Sequence, residues 1–308
     1  MVDVTIAIPT FCRPRGLERL LSALEKLETT ANVSVLVADN DAGRGDGAAV
    51  CERLRTGGYR WSLEWIVVRE RGIAQARNAL VEHLLAKFGA GFVAMIDDDE
   101  WPHPQWLNAF LRAQEKTGAD VLYGAILREF ERRPGIWAAY CPGVASTHVA
   151  VSSAAMPGTG NVLLRRECLE GLIKPCFDPA FALTGGEDKE FFTRMRLSGA
   201  RFAWADDAIV FAEVPASRGK LSWALKRSYR VGNSDMRVLL KYERSAGVLA
   251  LEAAKIAGVT LLSPLQLVMH AVAPGARTAV LCRLWRAAGK IAAVCGRHFN
   301  EYETVHGN

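Results

Sequence analysis

The stretch VAMIDDDEW, residues 93–101, runs an apolar segment straight into four consecutive carboxylates. Asp97, Asp98, Asp99 and Glu100 repel one another at this spacing. A buried strand that ends in such a cluster points to a role for the charges at the strand's carboxyl end. Outward from it the chain alternates. Residues 4–9 (VTIAIP) are short, β-branched and apolar, and Leu17, Leu20, Leu21, Leu24 and Leu27 then recur at helical spacing. Residues 33–38 (VSVLVA) predict a second strand, closing on Asp39-Asn40-Asp41, and 63–68 (LEWIVV) a third. The spacing predicts a helix over 73–88, a strand over 92–96, a helix over 104–116 and a fifth strand over 120–127. This is the βαβα pattern of an α/β protein with a doubly wound, mostly parallel sheet. Ligands of such sheets bind outside the carboxyl ends of the strands. Pro9, Thr10, Asp39 and Asp97 to Asp99 all fall there.

The 308 residues suffice for one large domain with an appendage; half are hydrophobic and 23% charged, which excludes a disordered chain. A net charge of +5 suits contact with phosphates or anionic lipid and is too mild to imply nucleic acid, for which no motif is present. The seven cysteines form no CxxC pair, which argues against a zinc site or disulfide framework and for a reducing compartment. The first residues, MVDVTIAIP, enter a strand pattern with no basic leader, so no signal peptide is expected.

After the first strand comes TFCRPRG, residues 10–16, which is neither GxGxxG nor GxxxxGK[ST]. A phosphate-bearing ligand would therefore be held through a divalent ion on the acidic cluster. Hard oxygen ligands suit Mg²⁺ or Mn²⁺. The plainer alternative is a solvated acidic turn ahead of Pro102.

Several segments, in order, resemble glycosyltransferase family 2 with its GT-A fold: TIAIPTFCRPRGLERLLSAL (5–24), VLVADND (35–41), RERGIAQARNAL (69–80), IDDDE (96–100), GTGNVLLRRE (158–167) and FALTGGEDKEFFTRM (181–195). Within that family the chain looks most like bacterial exopolysaccharide transferases that extend a lipid-linked oligosaccharide. The resemblance implies inverting transfer of one sugar per event from a nucleoside-diphosphate sugar, most often a UDP-sugar; the QxxRW pattern of processive synthases is absent. Carried over, Pro9 and Thr10 line the nucleotide edge, Asp39 binds the base, Arg77 lies near the nucleotide, Asp97 or Asp98 holds the ribose, and Asp99 holds the metal. Asp39 could equally be a turn residue and Arg77 a solvated helix residue, with Asn78 buttressing the helix start. In the Glu187-Asp188 pair the family pattern assigns Asp188 as the base; acidic residues in a helix's first turn are also ordinary capping. Glu213 stands about where the family places a further metal ligand, often His. Arg227 and Arg230 in KRSYRVGNS (226–234) are candidates to cover the diphosphate. Trp101 and Trp137 could stack on sugars or fill core. Residues 142–160, rich in Gly, Ser and Pro, read as an acceptor loop.

Residues 1–244 would form the transferase domain and 245–308 a helical tail. Residues 256–276 contain no Asp, Glu, Lys or Arg, but both flanks are basic, which favours a helix or hairpin lying on an anionic membrane surface over a single crossing. Arg283, Arg286, Lys290 and Arg297 share one helical face opposite Leu281, Leu284, Ile291 and Val294, a basic amphipathic pattern. A soluble helical subdomain is the alternative. The expected location is the cytoplasmic face of the cell membrane. Two rival readings are a GT-A-like scaffold subunit without activity, against which retention of both acidic motifs argues, and a nucleotidylyltransferase, which would carry a Gly-rich basic loop where PTFCRPRG stands.

Overall fold

The computed structural model describes residues 2–132, 135, 137, 138 and 158–298. The chain opens with β1 (Asp3–Thr10), α1 (Pro14–Leu24), β2 (Asn32–Asp39), α2 (Asp46–Thr56), β3 (Ser62–Val67), α3 (Ile73–Lys87) and β4 (Phe92–Ile96). It continues through β5 (Glu100–Pro102), α4 (Trp106–Thr117), β6 (Val121–Phe130), β7 (Asn161–Arg165), α5 (Arg166–Glu170), α6 (Glu187–Leu197) and β8 (Phe202–Val214). Three helices close it: α7 (Leu221–Tyr242), α8 (Ala246–Met269) and α9 (Pro274–Val294).

The strands form one eight-stranded sheet in the order β3-β2-β1-β4-β7-β6-β8-β5. β1, β2, β3 and β4 are mutually parallel where they pair; β7 runs antiparallel between β4 and β6, and β5 antiparallel on β8. The leucines of α1 that recur at helical spacing, Leu17, Leu20, Leu21 and Leu24, are fully buried against one face of the sheet with Trp106 and Phe110 of α4. The other face is covered by α3 and α6, through Leu80, Val81, Leu84, Phe191 and Phe192. The strand order reverses at β1, which has β2 on one side and β4 on the other, so the crevice at the carboxyl ends of β1 and β4 is the switch point where such sheets bind ligands. The acidic triplet lies at the end of β4, beside Thr10 at the end of β1.

The C-terminal region is helical, as expected of its secondary structure. α9 packs along α7 through Gly275, Thr278, Cys282, Gly289 and Ala293, all buried small residues. At Gly289 a Cβ would lie 1.9 Å from the Tyr229 carbonyl oxygen, and at Gly232 of α7 2.0 Å from that of Arg286. This approach turns part of the supposed basic face inward: Arg286 pairs with Asp235 of α7, and Lys290 with Glu252 of α8. Ile291 and Val294, expected on the apolar side of α9, are 45% and 59% exposed. Part of the basic face of α9 is thus paired within the protein, where Gly289 and Gly232 each let the facing helix's backbone come close. α8 is the apolar, uncovered element: its 18-residue window has mean hydropathy 1.6 and is 6% buried. Replacing Gly289 by Val should destabilise the α7–α9 contact by about 1–3 kcal/mol, the usual cost of overpacking. Thermal unfolding checks this, with Gly258→Val, where a Cβ meets nothing within 4 Å, as the neutral control.

Candidate active site

The acidic triplet is compensated by cations drawn from distant parts of the chain. Asp98 is 5% exposed and accepts from the Thr10 hydroxyl at 2.8 Å and from Arg13 at 2.8 Å. The same Arg13 nitrogen donates to Asp99 at 3.1 Å, and Arg218, in the turn before α7, lies 3.6 Å from Asp99. Burial still dominates at Asp98, whose pKa is pushed up to about 6 against the pull of Arg13. Glu100 follows within β5; burial, then the nearby Asp97 and Asp99 charges, raise its pKa well above the ordinary carboxyl range. Its Oε2 has no hydrogen-bond partner among the described residues.

Arg77 ties this cluster to the second acidic motif. It is 6% exposed, so the solvated alternative is overturned. It donates to Asp97 at 3.0 Å and to Glu187 at 2.5 Å. Glu187 is 2% exposed, and burial, followed by the charge of Asp188, pushes its pKa up to about 7 despite Arg77. Asp188, half-buried, accepts from the Lys189 backbone N–H at 2.7 Å. The segment Gly158-Thr159-Gly160 runs between the two sets of acids. A Cβ at Gly158 would lie 2.6 Å from the Asp188 carboxylate, and one at Gly160 2.8 Å from that of Glu100. Only glycine brings the backbone this close. Thr159 between them is 1% exposed, with its hydroxyl unpartnered among the described residues. Asn78 fixes α3 to a distant segment: it donates to the Phe177 carbonyl at 2.8 Å and accepts from the Phe177 N–H at 2.7 Å.

The family model described as "Glycosyl transferase family 2" matches residues 5–172, more than half of the chain and the part that holds the triplet and its crevice. The chain belongs to glycosyl transferase family 2. It is 30% identical over 259 residues to the succinoglycan biosynthesis protein ExoM of Rhizobium meliloti, covering 82% of each chain. It is 26% identical over 240 residues to the glycosyltransferase AglE of Haloferax volcanii, covering 76% of this chain and 73% of that one. Among solved structures it resembles the mannosyltransferase PcManGT of Pyrobaculum calidifontis in complex with GDP-Man and Mn²⁺, at 17% identity and a TM-score of 0.61 over 96% of this chain and 88% of that one. It also resembles S. aureus TarS 1–349 in complex with UDP, at 15% identity and a TM-score of 0.53 over 100% and 95% of the two chains. These likenesses establish the GT-A fold.

Within this family 2 domain the other expected residues divide. Pro9 is buried in β1, paired in register with Ala38. Asp39 is 1% exposed and its two oxygens accept from the backbone N–H groups of Asp41 at 3.0 Å and Ala48 at 2.8 Å. Its side chain thus organises the turn into α2. Arg230 is near enough to Glu187 to lower its pKa, whereas Arg227 lies over the Trp223 ring at 5.4 Å. Glu213, near the end of β8, is engaged by the first helix. It accepts from Arg19 at 2.5 Å, in a surface cleft with Trp101, Glu129 and Glu131. Arg19 also covers the Trp101 ring at 4.0 Å, while Phe211 stacks on Trp101 at 5.9 Å, so this tryptophan is engaged by the fold. Residues 142–157 of the expected acceptor loop, 142–160, lie outside the described residues.

No three His, Cys, Asp or Glu side chains among the described residues converge as a metal cage. That fits a small hard cation held by one or two carboxylates and completed by phosphate oxygens. Asp99, 30% exposed and already balanced by arginine cations, is the side chain that would hold it. Arg13, Arg218, Thr159 and the role of Glu100 were missed from the sequence. An arginine directly before the proline that starts α1, in a chain without a phosphate loop, was the available signal for Arg13.

Proposed function

We propose that this chain is an inverting, metal-dependent transferase that moves one sugar from a nucleoside-diphosphate sugar to a lipid-linked saccharide in the synthesis of a cell-surface or exported polysaccharide. The observation that carries the reading is the Arg77 bridge. It holds the triplet, where a donor diphosphate would lie, at a fixed distance from the Glu187-Asp188 turn, where an acceptor hydroxyl would approach. The name of ExoM, succinoglycan biosynthesis, supports the polysaccharide class, and the GDP-Man and Mn²⁺ of PcManGT and the UDP of TarS support a nucleotide donor and a divalent ion.

The chemistry follows from charge. The sugar–phosphate bond breaks with negative charge growing on the diphosphate; Mg²⁺ or Mn²⁺ held at Asp99, when bound, supplies the stabilising positive charge. Asp98, fixed by Thr10 and Arg13, and Asp97, fixed by Arg77, offer carboxylate oxygens to the ribose hydroxyls. Asp188 takes the proton of the attacking hydroxyl. Attack opposite the leaving group inverts the anomeric carbon.

The test is incubation with Mn²⁺ and a panel of nucleotide sugars, UDP-sugars first, with release of nucleoside diphosphate as the readout and NMR of the product anomer as the check on inversion. Release of pyrophosphate from a nucleoside triphosphate and a sugar phosphate would instead establish a nucleotidylyltransferase, and inertness toward every donor a scaffold. Asp99→Ala should raise the Mn²⁺ needed for half-saturation of nucleotide binding about tenfold or more, since even supporting groups around metal sites cost that much. Calorimetric titration with nucleoside diphosphate across Mn²⁺ concentrations measures it; an unchanged requirement removes Asp99 from the metal site.

The same proposal places the protein on the cytoplasmic membrane face through α8. Leu261, Leu265 and Val268 there are 77%, 60% and 73% exposed, far more apolar surface than a water-facing helix presents. Changing all three to Gln should abolish sedimentation with anionic vesicles and weaken transfer to a lipid-linked acceptor, yet spare donor hydrolysis. Equal sedimentation of the two proteins would rule α8 out as the anchor.

A further inference from the structure

The residue after the proposed base has an unusual set of contacts. Lys189 donates its backbone N–H to Asp188, while its ammonium pairs with Asp235 of α7. The second oxygen of Asp235 is taken by Arg286 of α9, through Nε at 2.9 Å and through Nη2. Asp235 is 11% exposed, so both ion pairs are partly withdrawn from water. The neighbouring Ser234 hydroxyl donates to the Gly185 carbonyl at 3.1 Å. Gly186, at φ 95°, packs so tightly there that a Cβ would lie 2.6 Å from that of Ser234. The turn that carries Asp188 therefore rests on two consecutive residues of α7.

α9 is locked to the other side of that same stretch of α7. Besides the glycine contacts, Asn233 donates to the carbonyls of Gly289 at 3.2 Å and Arg297 at 2.8 Å. Residues 232–235 thus meet the catalytic turn on one side and α9 on the other.

We infer that Asp235, held by Arg286, is a positioning residue for Asp188. Its charge draws the Lys189 ammonium along α7 and keeps it off the adjacent carboxylate, so that Asp188 retains a free lone pair for the acceptor hydroxyl. Without Asp235, a mobile ammonium one residue away would pair with Asp188 and cover the atom that must accept the proton. α9 is on this account part of the catalytic unit rather than only a link to α8. Each contact is a charge-assisted hydrogen bond, strong enough to fix a rotamer.

The inference rests on Asp188 being the base, and the test separates the two. Asp235→Asn should lower kcat about tenfold, with donor KM and calorimetric affinity for nucleoside diphosphate changed less than twofold. Arg286→Ala, on a half-exposed side chain, should give a smaller loss in the same direction, and Arg286→Lys should restore most of it. The deciding measurement is a double-mutant cycle. In an Asp188→Asn background, Asp235→Asn should have no further effect on residual turnover. A full tenfold loss in that background would overturn the inference, as would equal losses in kcat and nucleotide affinity. If Asp188→Asn itself turned over normally, the assignment of the base would fall instead.

Discussion

Asp188→Asn is expected to lower turnover by on the order of a hundredfold or more, the usual contribution of a general base. The change keeps the shape of the side chain and its bond from the Lys189 N–H, and removes the basic lone pair. Its neighbour cannot take over. Glu187 is 2% exposed and its Oε1 is bonded to Arg77 at 2.5 Å, so it faces the interior rather than an incoming hydroxyl. Adjacent residues of a helix point about 100° apart. Affinity for donor nucleotide should stay within about twofold, because the base acts on the other substrate. Steady-state kinetics of Asp188→Asn and Glu187→Gln, beside calorimetry with nucleoside diphosphate, decide the matter. Normal turnover by the first and a dead second variant would exchange the two assignments.

The largest effect on stability is expected at Arg77. Replacing it with Met keeps much of its volume and leaves Glu187 without its cation, a change that costs about 3–5 kcal/mol when a buried pair is broken. The cost should depend on pH. Glu187 already has a folded-state pKa raised to about 7, chiefly by burial, and loss of Arg77 raises it further. A buried acid with a raised pKa holds its proton in the folded state at a pH where the unfolded chain has released it. Stability therefore falls as pH rises through that window. The variant should be nearer to wild type at pH 6 than at pH 8 in denaturant unfolding. A deficit equal at both values would mean that Glu187 is not the group left unpaired.

The first half of the fold was legible because β1, β2 and β4 are buried on both faces and read as unbroken apolar runs. β4 matches its predicted span, and the leucines of α1 all reach the core. β5 was not seen, since three residues directly after an acidic turn carry no periodicity; pairing with β8 makes them a strand. The acidic triplet and the Glu187-Asp188 pair were visible as residue types, but Arg77 as their link was not, because nothing in a linear sequence relates positions 110 residues apart. The ion pair of Glu213 was hidden for a similar reason. Its partner Arg19 lies on the first helix, and an ion pair formed across the fold left no trace in local spacing. The close packing of α9 on α7 was also hidden: a helical wheel weighs leucines and arginines, while this contact is set by Gly232 and Gly289.

Under the proposed metal-dependent mechanism, the arginines around Asp98 and Asp99 bear on how the protein fares in a cell short of divalent ions. A pocket whose carboxylates balanced only against a bound cation would stay unfolded until one arrived. With Arg13 and Arg218 already beside these acids, the nascent chain can complete its fold on the ribosome's schedule. Scarcity of the ion would then leave a reserve of intact, idle enzyme rather than a burden for proteases. Supplying the ion would restore output at once, with no new synthesis.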